Sequence, residues 1–147
     1  MSQPQPNPFA PPQAPVSDVP APLASAAIAD LPVSDTWKTK FLLMEKAGGV
    51  KMTRHKDLST GERMKISFNV LAFLFGPFYY LAKGMWKKAI TLFVASLAIV
   101  VILEFALGMA GLGRFSKALT YGVAAVYAVR ANIDYYKKMV LGQNGWW

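Results

Sequence analysis

The sequence predicts an all-α fold, that of a small helical integral membrane protein. One long apolar run, residues 89–113, contains a single charge, Glu104, and a second apolar segment, residues 66–82, is broken once by Gly76-Pro77. Although 54% of the 147 residues are hydrophobic, the formal net charge is +8. A chain this short has too little core volume to hide so much apolar surface, so the composition favours lipid as its solvent.

Residues 1–32 predict a disordered tail. The stretch is rich in Pro, Ala, Gln and Ser, and its one aromatic residue is Phe9. Such a composition buries too little apolar surface to offset the entropy of ordering. A solvated spacer is the main interpretation, and a proline-rich ligand is the alternative. The amino terminus has neither a basic opening nor an apolar centre, so it does not match a cleavable signal peptide.

Residues 33–65 predict a cytoplasmic amphipathic helix followed by a polar connection. Ser34 and Asp35 form a helix start, Gly48-Gly49 a helix end, and one face carries Trp37, Phe41 and Met44. The helix is also basic. It therefore either rests on the membrane surface or packs on the rest of the domain, and the sequence leaves both open.

Residues 66–147 predict the helical membrane domain. Ser59 and Glu62 have the spacing of a capping box, which starts a helix running to Phe75. Gly76 and Pro77 break it, because proline lacks an amide donor and restricts the residue before it.

The two arms of this broken segment, residues 66–75 and 77–86, would each reach about 15 Å as helix, half of a bilayer core. The segment therefore either crosses the membrane once or re-enters on the side from which it came. Re-entry keeps the cations that follow it on the side of the basic amino-terminal region, which the positive-inside rule favours. These cations are Lys83, Lys87 and Lys88.

Two further membrane helices are predicted, over Ala89–Leu107 and Phe115–Ile133, each about 28 Å long. The second carries a stripe of small residues, which favours close packing against the first helix, with dimerisation as the alternative. The stripe consists of Ala118, Gly122, Ala125 and Val129. Aromatic residues near the ends of the helices are typical of interfacial anchors. They are Trp86, Tyr135, Tyr136, Trp146 and Trp147.

The sequence offers little for catalysis. It has no cysteine and a single histidine, His55, so no catalytic, cofactor-binding or metal site is predicted, and the protein is expected not to be an enzyme. The candidate functional residues are instead polar side chains in membrane segments, which are usually paired or serve a pathway. They are Asn69, Glu104, Arg130, Asn132 and Asp134.

Two of these residues carry specific expectations. Glu104 lies near the far end of its span, where it either faces Arg114 or Lys117 across the turn or forms a proton or cation site. Asn69 is expected to hydrogen-bond across the hairpin and satisfy backbone freed at Gly76-Pro77, rather than to contact a ligand.

Two motifs resemble a known bacterial family, domain of unknown function 2628. They are Ser67-Phe-Asn-Val-Leu-Ala-Phe-Leu-Phe-Gly-Pro-Phe-Tyr-Tyr80 and Gly84-Met-Trp-Lys-Lys88. The resemblance covers roughly residues 34–147, and its specific part is the Phe-Asn…Phe-Gly-Pro core. Many relatives carry tryptophan near Tyr79 or Tyr80, so the aromatic character is retained here while the residue differs. The resemblance implies a small bacterial membrane protein and implies no activity.

The sequence therefore favours a non-enzymatic accessory or scaffold protein. It is expected to be multi-pass in the bacterial cytoplasmic (inner) membrane, with both termini cytoplasmic. Its expected partners are the lipid bilayer and either another protein or a second copy, with no nucleic acid, because the cations flank apolar runs. The alternative is an oligomeric minimal transporter or channel that uses the broken hairpin and Glu104.

Overall fold

The computed structural model describes residues 27–147, and this part of the chain contains helices and no strand. The all-α prediction is confirmed. The helices are α1 Asp35–Lys46, α2 Thr60–Ser67, α3 Val70–Phe75, α4 Pro77–Ala82, α5 Trp86–Met109 and α6 Ser116–Met139. Short 3-10 turns at Gly49–Lys51, His55–Asp57 and Gly113–Phe115 connect them.

The predicted disordered tail, residues 1–32, lies mostly outside the described residues, and its described part, residues 27–32, packs on the domain. Ile28 is completely buried in the core, and Leu31 packs against the same core. Burial of an isoleucine side chain contributes about 1.5–3 kcal/mol, which favours ordering of a short segment around it. The polar average of residues 1–32 conceals this local apolar cluster.

Helix α1 forms as predicted and packs on the rest of the domain. Ser34 is the extended residue before it, and Gly48 follows it with a left-handed φ of 98°. Phe41 is buried, and its ring centroid lies 5.8 Å from those of both Tyr135 and Tyr136 on α6. Of the two alternatives left open by the sequence, the structure therefore shows the packed helix.

The capping box of α2 is confirmed. The Ser59 amide donates to Glu62 Oε2 at 2.8 Å, and the Glu62 amide donates to Ser59 Oγ at 3.3 Å. The bond from the Ser59 amide, followed by one from Lys46, lowers the pKa of Glu62 to about 2. However, the prediction that one continuous helix runs from this capping box to Phe75 is wrong.

Helix α2 ends at Ser67, because Asn69 starts a new helix. The backbone of Asn69 is extended, with φ −121° and ψ 104°, and the Asn69 side chain caps α3 by accepting from the Ala72 amide. Asparagine competes with helix continuation in this way. The predicted break at Gly76-Pro77 is present: Gly76 has φ 49° and ψ −122°, and Pro77 is the first residue of α4.

Helices α3 and α4 form a hairpin that doubles back beside α6. Where α3 begins, the Asn69 amide donates to the Ala128 carbonyl oxygen at 3.0 Å. After α4, the Lys83 carbonyl accepts from Lys138 Nζ at 2.6 Å. Both contacts lie in the carboxyl-terminal half of α6. Residues 66–82 therefore begin and end beside the same half of that helix.

Helices α5 and α6 are antiparallel and have the same length, 24 residues, or about 36 Å. Within residues 27–147, α5 alone is long and apolar enough to cross a membrane by length and composition. The second of the two further membrane helices predicted from the sequence does not meet this criterion as α6. The buried residues of α5 are confined to its first two turns: Lys88, Ala89 and Leu92.

Candidate functional site

A buried polar cluster lies where the hairpin meets α5 and α6. Its first half joins two asparagines: Asn69 Nδ2 donates at 2.9 Å to Asn132 Oδ1 on α6 and at 2.9 Å to the Tyr79 hydroxyl on α4. Asn132 Nδ2 donates to the Ile66 carbonyl oxygen at 2.9 Å. Both asparagines are buried. The pair therefore bonds both arms of the hairpin to α6 and satisfies a carbonyl at the end of α2.

The second half of the cluster is centred on the Asp134 carboxylate. Lys88 Nζ donates to Oδ1 at 3.1 Å, and the Tyr80 hydroxyl donates to Oδ2 at 3.1 Å. Arg130 Nε donates to Oδ2 at 3.5 Å from one turn earlier on α6. Asp134, Lys88 and Tyr80 are at most 1% exposed, whereas 38% of the Arg130 side chain is exposed. One carboxylate thus faces two cations, and the outer cation reaches the surface.

The bonds of the cluster hold the helices together. Desolvating a charge is costly unless it is paired and hydrogen-bonded, and here Lys88 and Asp134 satisfy each other. The carboxylate oxygens and the Asn69 and Asn132 amides are used in bonds between elements. The arrangement therefore fixes α5, the hairpin and α6 in one geometry.

An aromatic and basic surface lies beside the cluster, where α1 covers the end of α6. The Trp37 and Tyr135 ring centroids are 4.6 Å apart. Lys83 Nζ lies 4.8 Å from the Tyr135 centroid, and Lys40 Nζ lies 4.8 Å from that of Trp37. Burial, then the neighbouring charge of Lys83, lowers the pKa of Lys40. Burial, then the charge of Lys138, lowers the pKa of Lys83.

The structure brings four of the five predicted polar residues together and leaves the fifth apart. Asn69, Asn132, Asp134 and Arg130 belong to the cluster. Asn69 crosses the hairpin to Tyr79, but the amide that it satisfies is that of Ala72 rather than one freed at Gly76-Pro77. Glu104 is exposed on α5, and the ion pairs among residues 27–147 do not join it to Arg114 or Lys117.

The predicted interfacial aromatic residues divide into two groups. Trp86 and Trp146 are half exposed and stack edge to face with centroids 5.6 Å apart, and Trp147 is exposed. Tyr135 and Tyr136 are instead buried, because α1 covers them. The Tyr136 hydroxyl donates to Glu45 Oε1 on α1. These two tyrosines therefore act as core residues that fasten α1 to α6.

Sequence reasoning missed Lys88 as a cluster residue and treated it as a loop cation. A signal was present, because Lys88 and Asp134 each lie 23 residues from Gly111 in the turn between the two long helices. Antiparallel helices joined by that turn place the two residues side by side. Elsewhere in the described part, His55 Nε2 lies 3.0 Å from Ser67 Oγ, and no group of three or more His, Asp or Glu side chains there could hold a metal ion.

Comparison with known proteins confirms the resemblance seen in the motifs. The family model described as "Protein of unknown function (DUF2628)" matches residues 26–140. The chain is 34% identical over 128 residues to the uncharacterized protein YigF of Salmonella typhimurium, covering 81% of this chain and 94% of that protein. It is 30% identical over 122 residues to YigF of Escherichia coli, covering 78% and 90%. No solved structure matches the chain. The chain therefore belongs to the DUF2628 family of bacterial proteins.

Proposed function

We propose that this chain is an integral protein of the bacterial cytoplasmic membrane in which α5 crosses the lipid. The observation that carries the proposal is the exposure of α5: beyond its first two turns, large apolar side chains such as Val101, Ile102 and Phe105 are 58–72% exposed. An apolar core helix of a soluble protein would be covered by neighbours. An exposed apolar band of this length matches the hydrocarbon core of a bilayer, about 30 Å.

In this proposal α6 returns the chain through the membrane, and both termini are cytoplasmic. Cations surround the end at which α5 begins and α6 ends, namely Lys40, Lys83, Lys87, Lys137 and Lys138. At the other end the turn and the start of α6 carry Arg114 and Lys117. The positive-inside rule assigns the more basic end to the cytoplasm.

The hairpin enters the cytoplasmic leaflet without crossing it. Phe75 and Phe78, on either side of its Gly76-Pro77 tip, are 56% and 70% exposed. Irregular backbone at membrane depth is tolerated where protein satisfies its polar groups. Near the tip the Gly76 amide donates to the Ala72 carbonyl oxygen at 2.8 Å, and the Asn69 and Asn132 bonds satisfy backbone groups at the base of the hairpin.

The biochemical role that we propose is that of a non-enzymatic accessory or scaffold protein, whose cytoplasmic segment, residues 33–65, engages a partner protein. Two features support it. The polar cluster is consumed in holding the fold together, and the cytoplasmic segment is fixed on the membrane domain while Leu42 and Met64 are left 42% and 68% exposed.

Topology is tested by single cysteines in the cysteine-free chain. We expect cysteine at Lys51 and at Gly145 to react with a membrane-impermeant maleimide in lysed cells only, and cysteine at Leu112 to react in intact cells. Gly84 is unsuitable as a reporter, because an added Cβ there would lie 2.6 Å from Lys138 Nζ. Reaction of all three positions in intact cells, or of none, would contradict the proposed crossing.

The partner surface is tested by co-purification of the full chain in mild detergent. A protein retained by the wild type and by Met64→Leu, but lost with Met64→Asp, supports the scaffold role. The scaffold role would be overturned if Met64→Asp retained the same proteins as the wild type. It would also be overturned if the wild type retained no protein and Met64→Asp had no phenotype.

The alternative function, an oligomeric minimal channel or transporter, is favoured by one observation. Glu104 is exposed on the apolar helix without an ion-pair partner among residues 27–147, and such carboxylates are usually paired or line a pathway. Reconstituted wild-type protein should then conduct protons or cations into liposomes, and Glu104→Gln should reduce the flux. Absence of flux in the wild type would remove this alternative.

A further inference from the structure

A groove of about 380 Å³ separates α5 from α6 along the part of both helices that lies beyond the polar cluster. Its walls are apolar, and a charged side chain stands at only one end. The residues that define it are Ile99 and Leu103 on α5, Ala118 and Gly122 on α6, and Arg130 with Trp147 at the mouth.

The groove exists because α6 presents small residues to α5. A Cβ added at Gly122 would meet no atom within 4 Å, so the two helices do not approach each other closely there. The close packing of the small-residue stripe that the sequence favoured is therefore not formed at Gly122. Walls without partner atoms lose dispersion energy, which favours an apolar occupant.

The charged side chains at and beside the mouth of the groove carry a net positive charge, because two cations share one carboxylate. Asp134 already pairs with the buried Lys88, so Arg130, 38% exposed, adds a second cation to a single carboxylate. Arg130 bonds Asp134 through Nε, and the guanidinium has four further N–H donors. Its carbon lies 5.7 Å from the Trp147 ring centroid. This end therefore suits an anionic group, and a phosphate matches the guanidinium fork.

The length of the groove fits one leaflet. From Leu92 to Leu103, α5 rises roughly 16 Å, about half of a 30 Å hydrocarbon core. The charged mouth lies at the end of the helices where the chain is most basic, and the proposed topology places that end at the cytoplasmic surface. Anionic lipids are abundant there.

We infer that the groove binds one acyl chain of an anionic phospholipid of the cytoplasmic leaflet, with its headgroup phosphate at Arg130. This inference rests on the proposed insertion of α5 into the membrane. It adds a defined lipid site to that proposal: the apolar walls accept the chain, Arg130 binds the phosphate, and the net positive charge at the mouth favours an anionic headgroup over a zwitterionic one.

The acyl-chain site is tested with Gly122→Leu, which fills the groove from α6. The matched control is Gly108→Leu on α5, where an added Cβ also meets no atom within 4 Å but which does not line the groove. Full-length protein in nanodiscs of equal phosphatidylglycerol and phosphatidylcholine is released into native mass spectrometry. We expect one phosphatidylglycerol to remain on the wild type and on Gly108→Leu, and at least about tenfold less on Gly122→Leu.

Headgroup selection is tested with Arg130→Gln against Arg130→Lys. Phosphatidylcholine has the same phosphate but adds a quaternary ammonium, which a cation at the mouth repels. Removing the positive charge in Arg130→Gln should therefore reduce the preference for phosphatidylglycerol about tenfold, whereas Arg130→Lys keeps the charge and should retain most of it. Equal retention of both lipids by the wild type would overturn the inference, as would retention unchanged in Gly122→Leu or a lipid-free dimer.

Extraction of membranes with alkaline carbonate separates the two proposals. Wild-type protein that stays in the membrane but selects no lipid refutes the lipid site alone. Protein that is released by carbonate refutes the membrane proposal as well.

Discussion

Three helices converge on the Asp134 carboxylate. Its carboxylate accepts bonds from Tyr80 on α4, from Lys88 on α5 and from Arg130 one turn away on α6. Because Lys88 is 1% exposed, its ammonium depends on this carboxylate for compensation. Arg130, in contrast, reaches solvent or headgroups.

We therefore expect Asp134→Asn to reduce the free energy of unfolding by about 3–5 kcal/mol, because it leaves a buried cation unpaired. Arg130→Gln should cost about 1 kcal/mol or less, since its ion pair is partly exposed. The measurement is chemical unfolding of the purified protein in detergent. The double variant Lys88→Met/Asp134→Leu should recover most of the loss, and equal losses in the two single variants would contradict the assigned roles.

Glu62 gives a prediction about pH. Its pKa is about 2 in the folded chain and about 4.3 when unfolded, so its charge stabilises the fold above the unfolded pKa, and that contribution is lost as the pH falls towards 2. Glu62→Gln keeps a side-chain acceptor without the charge. The difference in unfolding midpoint between wild type and Glu62→Gln should be constant above about pH 5 and should vanish near pH 2. An undiminished difference in unfolding midpoint at pH 2 would refute the proposed contribution of the Glu62 charge.

At the scale of elements, the hairpin depends on the backbone of Gly76. Its φ of 49° with ψ of −122° is a conformation that residues with a Cβ rarely adopt. We expect Gly76→Ala to destabilise the protein by about 1–3 kcal/mol. Gly61→Ala is the matched control, because Gly61 lies in the first turn of α2 with open space around it and alanine favours helix. Thermal unfolding in detergent measures both, and equal effects would show that Gly76 needs no special backbone.

Signals that act over a few residues could be interpreted from the sequence. The ends of α1, the Ser59–Glu62 capping box and the Gly76-Pro77 break are all local, and the structure contains each of them. The break before Asn69 was missed, because an asparagine side chain can either cap a helix or extend from its surface. The choice here depends on Asn132, 63 residues away.

Long-range contacts explain the other differences. Composition alone predicts Tyr135 and Tyr136 to be interfacial anchors, because no residue near them in the sequence indicates that α1 packs over them. The same holds for Ile28, whose burial depends on the assembled core. Helix α6 carries both polar and apolar faces, a pattern that suits packing in lipid or in water, so the sequence pattern of α6 does not distinguish the two solvents.

At the scale of the whole molecule, one substitution discriminates between lipid and water around α5. Leu97, near the middle of α5, is 55% exposed. If lipid surrounds it, Leu97→Arg should raise the free energy of insertion by about 2.5–3.5 kcal/mol and reduce the membrane-bound fraction. If water surrounds it, the change is a surface substitution, within about 0.5 kcal/mol of neutral. Carbonate-resistant protein is measured in each case, with Leu112→Arg as the control in the turn.

The contact between α1 and the end of α6 also sets an order of events during synthesis. Glu45 and Tyr136, which bond to each other, are 91 residues apart. At a translation rate of about 5–20 residues per second, the ribosome needs roughly 5–20 s to produce the second after the first. Throughout that interval Phe41 and Met44 lack their native cover. Nascent chains arrested before residue 135 should therefore expose α1 to added protease, and only release of nearly complete chains should protect it.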